Sequence, residues 1–130
     1  MTLQELGTIM QTGVDVKILI LNNQFLGMVR QWQQLLHGGR YSHSYSEALP
    51  DFVKLAEAYG VVGLRATKPD ELDDRIREMI NTNRPVLFDC VVDQMENCYP
   101  MIPSGAAHNE MILNDAAEEA TVSEAGKVLV

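Results

Sequence analysis

Three short aliphatic runs, separated by segments of helical spacing, constrain the fold of this chain more than any other feature. They are residues 16–21, 61–66 and 86–92. Each run is too short for a helix and rich in β-branched residues, which is typical of largely buried strands. Strands that alternate with helices form parallel βαβ units, with helices on both faces of the sheet. The chain is therefore expected to be an α/β protein with a three-layer parallel sheet.

Four helical segments accompany these strands and are expected to begin near Thr2, Leu26, Asp51 and Pro69. The first starts with a capping-box sequence from Thr2 to Glu5, and Gly13 is expected to end it. The outer face of the last carries acid–base pairs four residues apart, Glu71–Arg75 and Asp73–Arg77. Three strands are few for a complete doubly wound domain, and no strand precedes the first helix. We therefore expect a domain that is incomplete at its N-terminus.

The length and charge of the chain exclude several classes of protein. The 130 residues suit one domain with one core. A net charge of −8 argues against unspecific binding of nucleic acid. No apolar run reaches the ~18 residues of a membrane span, and the first residues lack a signal-peptide pattern. Two cysteines, Cys90 and Cys98, are too few for a disulfide framework, so a cytoplasmic location is expected.

Polar residues with metal-binding potential stand directly after the first aliphatic run. Ligands of open α/β sheets bind beyond the carboxyl ends of the strands, where Asn22 and Asn23 are expected to lie. Amide and carbonyl oxygens suit a hard cation such as Mg²⁺, which also bridges phosphates. An ordinary turn is the alternative interpretation of the Asn-Asn pair.

Other polar residues carry less specific signals. The three histidines show no metal-ligand spacing, so no zinc site is expected; they are His37, His43 and His108. Cys90 falls in a buried run, where a thiol is usually inert. The acids at the end of the last run, Asp89 and Asp93, are expected to be solvated or hydrogen-bonded to loops.

A longer pattern surrounds the Asn-Asn pair. Residues 18–33 read ILILNNQFLGMVRQWQ, the start of the chain contains TLQELGTI, and residues 101–107 read MIPSGAA. Together these segments resemble the thiamine-diphosphate-binding domain of acetolactate synthase large subunits. The resemblance implies that residues 1–113 are the C-terminal part of that domain and that residues 114–130 are an acidic tail. Residues 105–130 hold five acids and one lysine, so half of the net charge lies there.

The resemblance implies a role for seven residues. Asn23 would give its side-chain oxygen to Mg²⁺ and Phe25 its backbone carbonyl, while Gly27 and Met28 would lie against the diphosphate and the thiazolium ring. The residues expected to line the substrate channel are Val29, Trp32 and Ser104. Helical spacing also fits a purely structural role in the core for Met28, Val29 and Trp32, and Ser104 could simply cap a short helix.

The same resemblance implies a function for the whole protein. It would decarboxylate pyruvate on thiamine diphosphate and join the product to a second 2-keto acid, giving 2-acetolactate for branched-chain amino acids. The family pattern places a Gly-Asp-Gly metal motif just before Met1 and FAD in a separate domain. It also includes a homo-oligomer, with a regulatory small subunit in some cases. This chain would hold no catalytic acid or base, so we expect it to be inactive alone.

Two alternatives remain open at the level of the sequence. One is a non-enzymatic α/β interaction module derived from this fold, which would bind an intact large subunit or a regulatory subunit. The other is a part of a different thiamine-diphosphate enzyme, such as an oxidase or a glyoxylate carboligase. In a partial domain, the helix face around Met28 and Trp32 is expected to be exposed.

Overall fold

The computed structural model describes residues 2–114, and its elements alternate as the sequence predicts. They are α1 (Glu5–Thr12), β1 (Lys17–Asn22), α2 (Gly27–Leu36), α3 (Phe52–Ala58), β2 (Val62–Ala66), α4 (Pro69–Asn81), β3 (Val86–Val91) and a short 3-10 helix (His108–Glu110). The strands form one parallel sheet in the order β1-β3-β2, which confirms the α/β prediction. No helix in this part of the chain is long and apolar enough to cross a bilayer. The predicted acidic tail lies, apart from Asn114, outside the described residues.

The described residues divide into two compact units. The sheet unit comprises residues 2–23 and 48–93 and contains all three strands. The loop unit comprises residues 24–47 and 94–114 and contains α2 and the 3-10 helix.

The sheet unit has three layers because successive residues of its central strand point to opposite faces. Val86, Phe88 and Cys90 pack with β2 and with the apolar stripe of α4. Leu87 points the other way, into a cluster with residues of α1 and α3. The prediction of helices on both faces of the sheet is therefore confirmed, and Cys90 is buried as expected.

Strand β1 departs from the prediction of a largely buried strand. Its side chains at Ile18 and Ile20 pack in the cluster formed with α1 and α3. Leu19 and Leu21, on the other face, are 47% and 66% exposed. The reason is positional: β1 is an edge strand, and the stripe of α4 packs against the core formed by β2 and β3.

The beginning of α1 also differs from the prediction. The helix begins at Glu5, and its N-cap residue Gln4 makes no side-chain capping bond. The Glu5 backbone N–H donates to the Thr2 carbonyl at 3.0 Å, so a backbone turn takes the place of the predicted capping box. The end of the helix was predicted correctly, since Gly13 adopts a left-handed conformation with φ of 68°.

The two ion pairs predicted on α4 do not form in the described chain. The Glu71 carboxylate instead accepts from the Thr67 backbone N–H at 2.9 Å. It lies in the first turn, where unpaired N–H groups attract an acid. Arg75 is therefore left to pair with Glu78, at 2.6 Å.

Candidate functional site

The carboxyl end of β1 is held to β3 up to its last residue. Asn22 is opposite Val91 in the parallel register, and its carbonyl accepts from the Val92 N–H at 3.1 Å. Asn23 follows directly and is half-buried. The structure thus places the predicted metal asparagine at a strand end, where ligands of such sheets bind.

A polar row crosses the sheet just below this edge. The Asn22 side-chain Nδ2 donates to Asp89 Oδ1 at 2.9 Å, and Arg65 Nε donates to Asp89 Oδ2 at 2.9 Å. Arg65 also donates through its Nη2 to Asp51 Oδ1, at 2.7 Å. Asp51 is the N-cap of α3 and accepts from the Val53 N–H at 3.1 Å. We call these four residues, Asn22, Asp89, Arg65 and Asp51, the polar row.

Two members of the row, Arg65 and Asp51, have pKa values shifted towards their ionised states. The hydrogen bond to Asp89 raises the pKa of Arg65, although desolvation works against it. Desolvation alone would raise the pKa of Asp51, but the hydrogen bond from Arg65 and those from the helix backbone outweigh it. The pKa of Asp51 is therefore lowered.

The expectation that Asp89 is solvated or bonded to a loop is wrong. Asp89 lies inside β3 and is only 1% exposed, and its partners come from the two neighbouring strands. A usable signal was present in the sequence. An acid within a buried aliphatic run requires a partner, because an unpaired buried charge is very costly.

In the loop unit, the backbone around Phe25 is fixed by a short antiparallel bridge to Tyr45. The Leu26 N–H donates to the Ser44 carbonyl and the Ser46 N–H to the Gln24 carbonyl, both at 2.8 Å. In this arrangement Phe25 and Tyr45 form the non-hydrogen-bonded pair, so the bridge does not use the Phe25 carbonyl. The two rings contact each other with centroids 5.0 Å apart. The predicted carbonyl ligand therefore stands on a well-anchored turn.

Helix α2 presents its predicted cofactor and channel residues outward. Gly27 is its first residue, and Met28, Val29 and Trp32 are 52%, 47% and 39% exposed. The core interpretation of these three side chains is therefore wrong for this chain, and the predicted exposure around Met28 and Trp32 is confirmed. Gln31, which a core interpretation would place outside, is 1% exposed.

Buried polar side chains of α2 hold the segment that leads to Ser104. Arg30 Nη2 donates to the Glu96 carbonyl at 2.9 Å and to Asn97 Oδ1 at 2.6 Å. Gln31 bonds the backbone of Cys98 twice, donating to its carbonyl at 3.0 Å and accepting from its N–H at 2.7 Å. Neither Arg30 nor Gln31 was predicted from the sequence. Their signal was weak, since polar side chains on a helix are normally exposed.

Ser104 lies in an exposed turn rather than at the start of a helix. The Ala106 N–H donates to the Pro103 carbonyl at 3.0 Å, and the 3-10 helix begins only at His108. The capping interpretation of Ser104 is therefore wrong.

The donor chemistry of the site fits a hard cation. Residues 2–114 contain no group of three or more His, Cys, Asp or Glu side chains that could hold a metal ion. The candidate ligands are an amide oxygen at Asn23 and a backbone carbonyl at Phe25, which are oxygen donors of the kind that Mg²⁺ accepts. Two such oxygens would fill only part of the coordination shell of Mg²⁺.

Comparison with known proteins identifies the family of the chain. Residues 1–90 match the family described as "Thiamine pyrophosphate enzyme, C-terminal TPP binding domain". The chain belongs to this thiamine pyrophosphate enzyme family. It is 50% identical over 120 residues to the acetolactate synthase large subunit of Haemophilus influenzae, which covers 92% of this chain and 21% of that protein.

Other relatives of this thiamine pyrophosphate enzyme domain are also named acetolactate synthases. Identity is 46% over 124 residues to the mitochondrial acetolactate synthase catalytic subunit of Saccharomyces cerevisiae, covering 95% of this chain and 18% of that protein. It is 45% over 117 residues to the isozyme 3 large subunit of Escherichia coli, covering 88% and 20%. The chain thus spans about a fifth of the length of these relatives.

A solved structure shows the same thiamine pyrophosphate enzyme fold. It is the thiamine diphosphate-dependent 4-hydroxybenzoylformate decarboxylase of Rhodococcus jostii RHA1, at a TM-score of 0.62 and 26% identity. The match covers 70% of this chain and 17% of the decarboxylase. The three-stranded parallel sheet with flanking helices is therefore part of a known thiamine diphosphate-dependent architecture.

Proposed function

We propose that this chain forms part of the thiamine diphosphate and Mg²⁺ site of an acetolactate synthase that makes 2-acetolactate from pyruvate. The relatives named acetolactate synthase support this assignment over an oxidase or a glyoxylate carboligase. The observation that carries the proposal is the position of Asn23, a half-buried amide directly after a parallel strand.

In this proposal the chain binds and orients the cofactor. The Asn23 side-chain oxygen and the Phe25 carbonyl would hold Mg²⁺, and the backbone at Gly27 would approach the diphosphate. Met28 would lie beside the thiazolium ring. Bound thiamine diphosphate supplies the carbanion chemistry that removes CO₂ from a 2-keto acid and joins the remainder to a second one.

The channel residues would control the access of substrate and water to the cofactor. Val29 and Trp32 present apolar surface on the outer face of α2, and Ser104 adds a polar edge from the later segment of the same unit. Apolar walls would keep water away from the bound cofactor. No side chain of the proposed site is assigned as a catalytic acid or base, so the proton donors belong to the cofactor and to other parts of the enzyme.

Four further features of the enzyme are proposed from the family pattern alone. They are FAD bound outside this chain, a homo-oligomer, a regulatory small subunit in some assemblies, and a cytoplasmic location.

A chimera tests the proposal. The aligned segment of the Escherichia coli isozyme 3 large subunit is replaced by this chain, and acetolactate formation is measured with pyruvate, thiamine diphosphate, FAD and varied Mg²⁺. We expect activity, and we expect Asn23→Ala to raise the Mg²⁺ requirement by at least roughly 100-fold, since even groups that only orient metal ligands commonly matter 10- to 100-fold.

The matched control is Asn83→Ala, which changes an exposed asparagine of the α4–β3 turn and should leave the Mg²⁺ requirement unchanged. An Asn23→Ala chimera with the Mg²⁺ requirement of its parent would refute the assignment of Asn23 as a ligand. An inactive parent chimera that binds thiamine diphosphate normally would instead support the non-enzymatic alternative.

A further inference from the structure

The first asparagine of the Asn-Asn pair has a different environment from the second. Asn22 is the last residue of β1, whereas Asn23 lies beyond it. The register pairs Arg65 with Asp89 and Asp89 with Ile20, two residues before Asn22. Because side chains alternate along a strand, Asn22, Asp89 and Arg65 all point to the face of the sheet that carries α3.

The hydrogen bond to Asp89 determines which way the Asn22 amide is turned. The NH₂ group of Asn22 faces Asp89 Oδ1, because Nδ2 is the amide atom that donates and the carboxylate oxygen accepts. The other carboxylate oxygen of Asp89 accepts from Arg65, so both oxygens of this buried acid are engaged. Asn22 is held by its side chain and also by its carbonyl, which accepts from the Val92 N–H.

Stability alone does not explain the buried charge of the row, that of Asp89, in this place. Well-packed apolar side chains of similar volume are commonly as stabilising as a buried ion pair. Hydrogen bonds between charged and amide groups are directional, unlike apolar contacts, so they hold atoms in one orientation. The polar row therefore restricts the orientation of the last residue of β1.

We propose that Asn22 is a positioning residue for the metal site, with Asp89, Arg65 and Asp51 as its support. By fixing the last residue of β1, the polar row sets the direction in which the Asn23 side chain leaves the sheet. This inference rests on the proposed function, because it concerns the same Mg²⁺ site. It assigns the two asparagines different roles: Asn23 binds the cation, and Asn22 orients Asn23.

Metal affinity tests this role separately from turnover. Mn²⁺ replaces Mg²⁺ in the chimera, and bound ion is measured from the loss of the free Mn²⁺ electron paramagnetic resonance signal in the presence of thiamine diphosphate. Asn22→Leu has a similar volume but no donor. We expect it to weaken Mn²⁺ binding by about 10- to 100-fold, the range typical of groups that orient metal ligands.

A matched destabilising variant separates positioning from a merely structural role. Ile18→Ala removes apolar contacts from the same strand without touching the polar row. Both variants should lower the melting temperature, but only Asn22→Leu should weaken Mn²⁺ binding. An Asn22→Leu chimera that binds Mn²⁺ like its parent would overturn the inference while leaving the proposed function intact.

Two further outcomes are also decisive. A parent chimera that binds no Mn²⁺ in the presence of thiamine diphosphate overturns the proposed function and this inference together. If Asn22→Leu does not fold, Arg65→Lys is the test variant. Lysine keeps the positive charge of Arg65 but cannot bridge two carboxylates with the fork geometry of a guanidinium group. Parental Mn²⁺ affinity in Arg65→Lys would then overturn the inference.

Discussion

At the scale of single residues, Gly63 shows how closely α3 approaches the sheet. A Cβ atom at Gly63 in β2 would lie 2.8 Å from the Val53 carbonyl oxygen and 2.9 Å from a Val53 side-chain carbon. Real Cβ contacts are not that short, so α3 could keep its place only if this position has no side chain. The requirement comes from packing between two elements and not from the conformation of the glycine.

Two glycine-to-alanine substitutions should therefore have opposite effects. Gly63→Ala should destabilise the chain by about 1–3 kcal/mol, the usual cost of forcing extra volume into a packed core. Gly7→Ala should stabilise it by about 0.5–1 kcal/mol, because Gly7 lies in α1 and its Cβ would meet only a ring carbon of Tyr59 at 3.8 Å. Urea unfolding of both variants measures this difference. Equal effects of the same sign would show that the close approach is not what requires Gly63.

At the scale of elements, α3 is tied to the sheet through its N-cap. Asp51 accepts from backbone N–H groups at the start of the helix and from Arg65 of β2. These contacts favour the ionised carboxylate, so the pKa of Asp51 in the folded chain lies below its ordinary value of 3.8. The stabilising effect is therefore present above that value and is lost as the pH falls through the lower folded pKa.

Replacing the Asp51 carboxylate should change how the melting temperature depends on pH. Asp51→Asn should lower the melting temperature at pH 7 and flatten its decline in acid, because asparagine can still cap the helix but cannot lose a charge. Melting temperatures between pH 2 and 7 measure the effect. Glu47→Asn, which removes an exposed acid outside the polar row, is the control and should keep the parental dependence of melting temperature on pH. An Asp51→Asn variant with the parental slope would show that Asp51 is not the group concerned.

Also at this scale, the order and type of the helices and strands could be predicted from periodicity, but their exposure could not. Leu19 and Leu21 of β1 looked buried because their strand is aliphatic, and the position of that strand at the sheet edge decided otherwise. Polar residues such as Arg30 and Gln31 are normally exposed on a helix. Here both are buried because backbone groups of an irregular segment need partners that no strand provides.

At the scale of the whole molecule, the important fact is how small a part of its relatives this chain represents. It spans about a fifth of their length, and its candidate metal ligands are one amide and one carbonyl. A cation that needs about six oxygen ligands is not held well by two. Under the proposed function, Mg²⁺ affinity would therefore depend on donors other than Asn23 and Phe25.

The chain alone should therefore form no acetolactate from pyruvate with thiamine diphosphate, Mg²⁺ and FAD, and it should bind thiamine diphosphate only weakly. Enzyme assay and isothermal titration calorimetry check the two expectations, with the chimera as the positive control. Turnover above background, or micromolar binding by calorimetry, would show that the two ligands suffice.

Strand and helix order, the family and the position of Asn23 could be derived from the sequence, because they depend on local periodicity and on a contiguous motif. The tertiary structure alone decided which apolar residues are exposed and which partners Asp89 has. Asp89 is 24 residues from Arg65 and 67 from Asn22, so only the pairing of strands brings these groups together. The sequence by itself determined that Asn23 follows the first strand, and the sheet decided which groups hold Asn22, the residue before it.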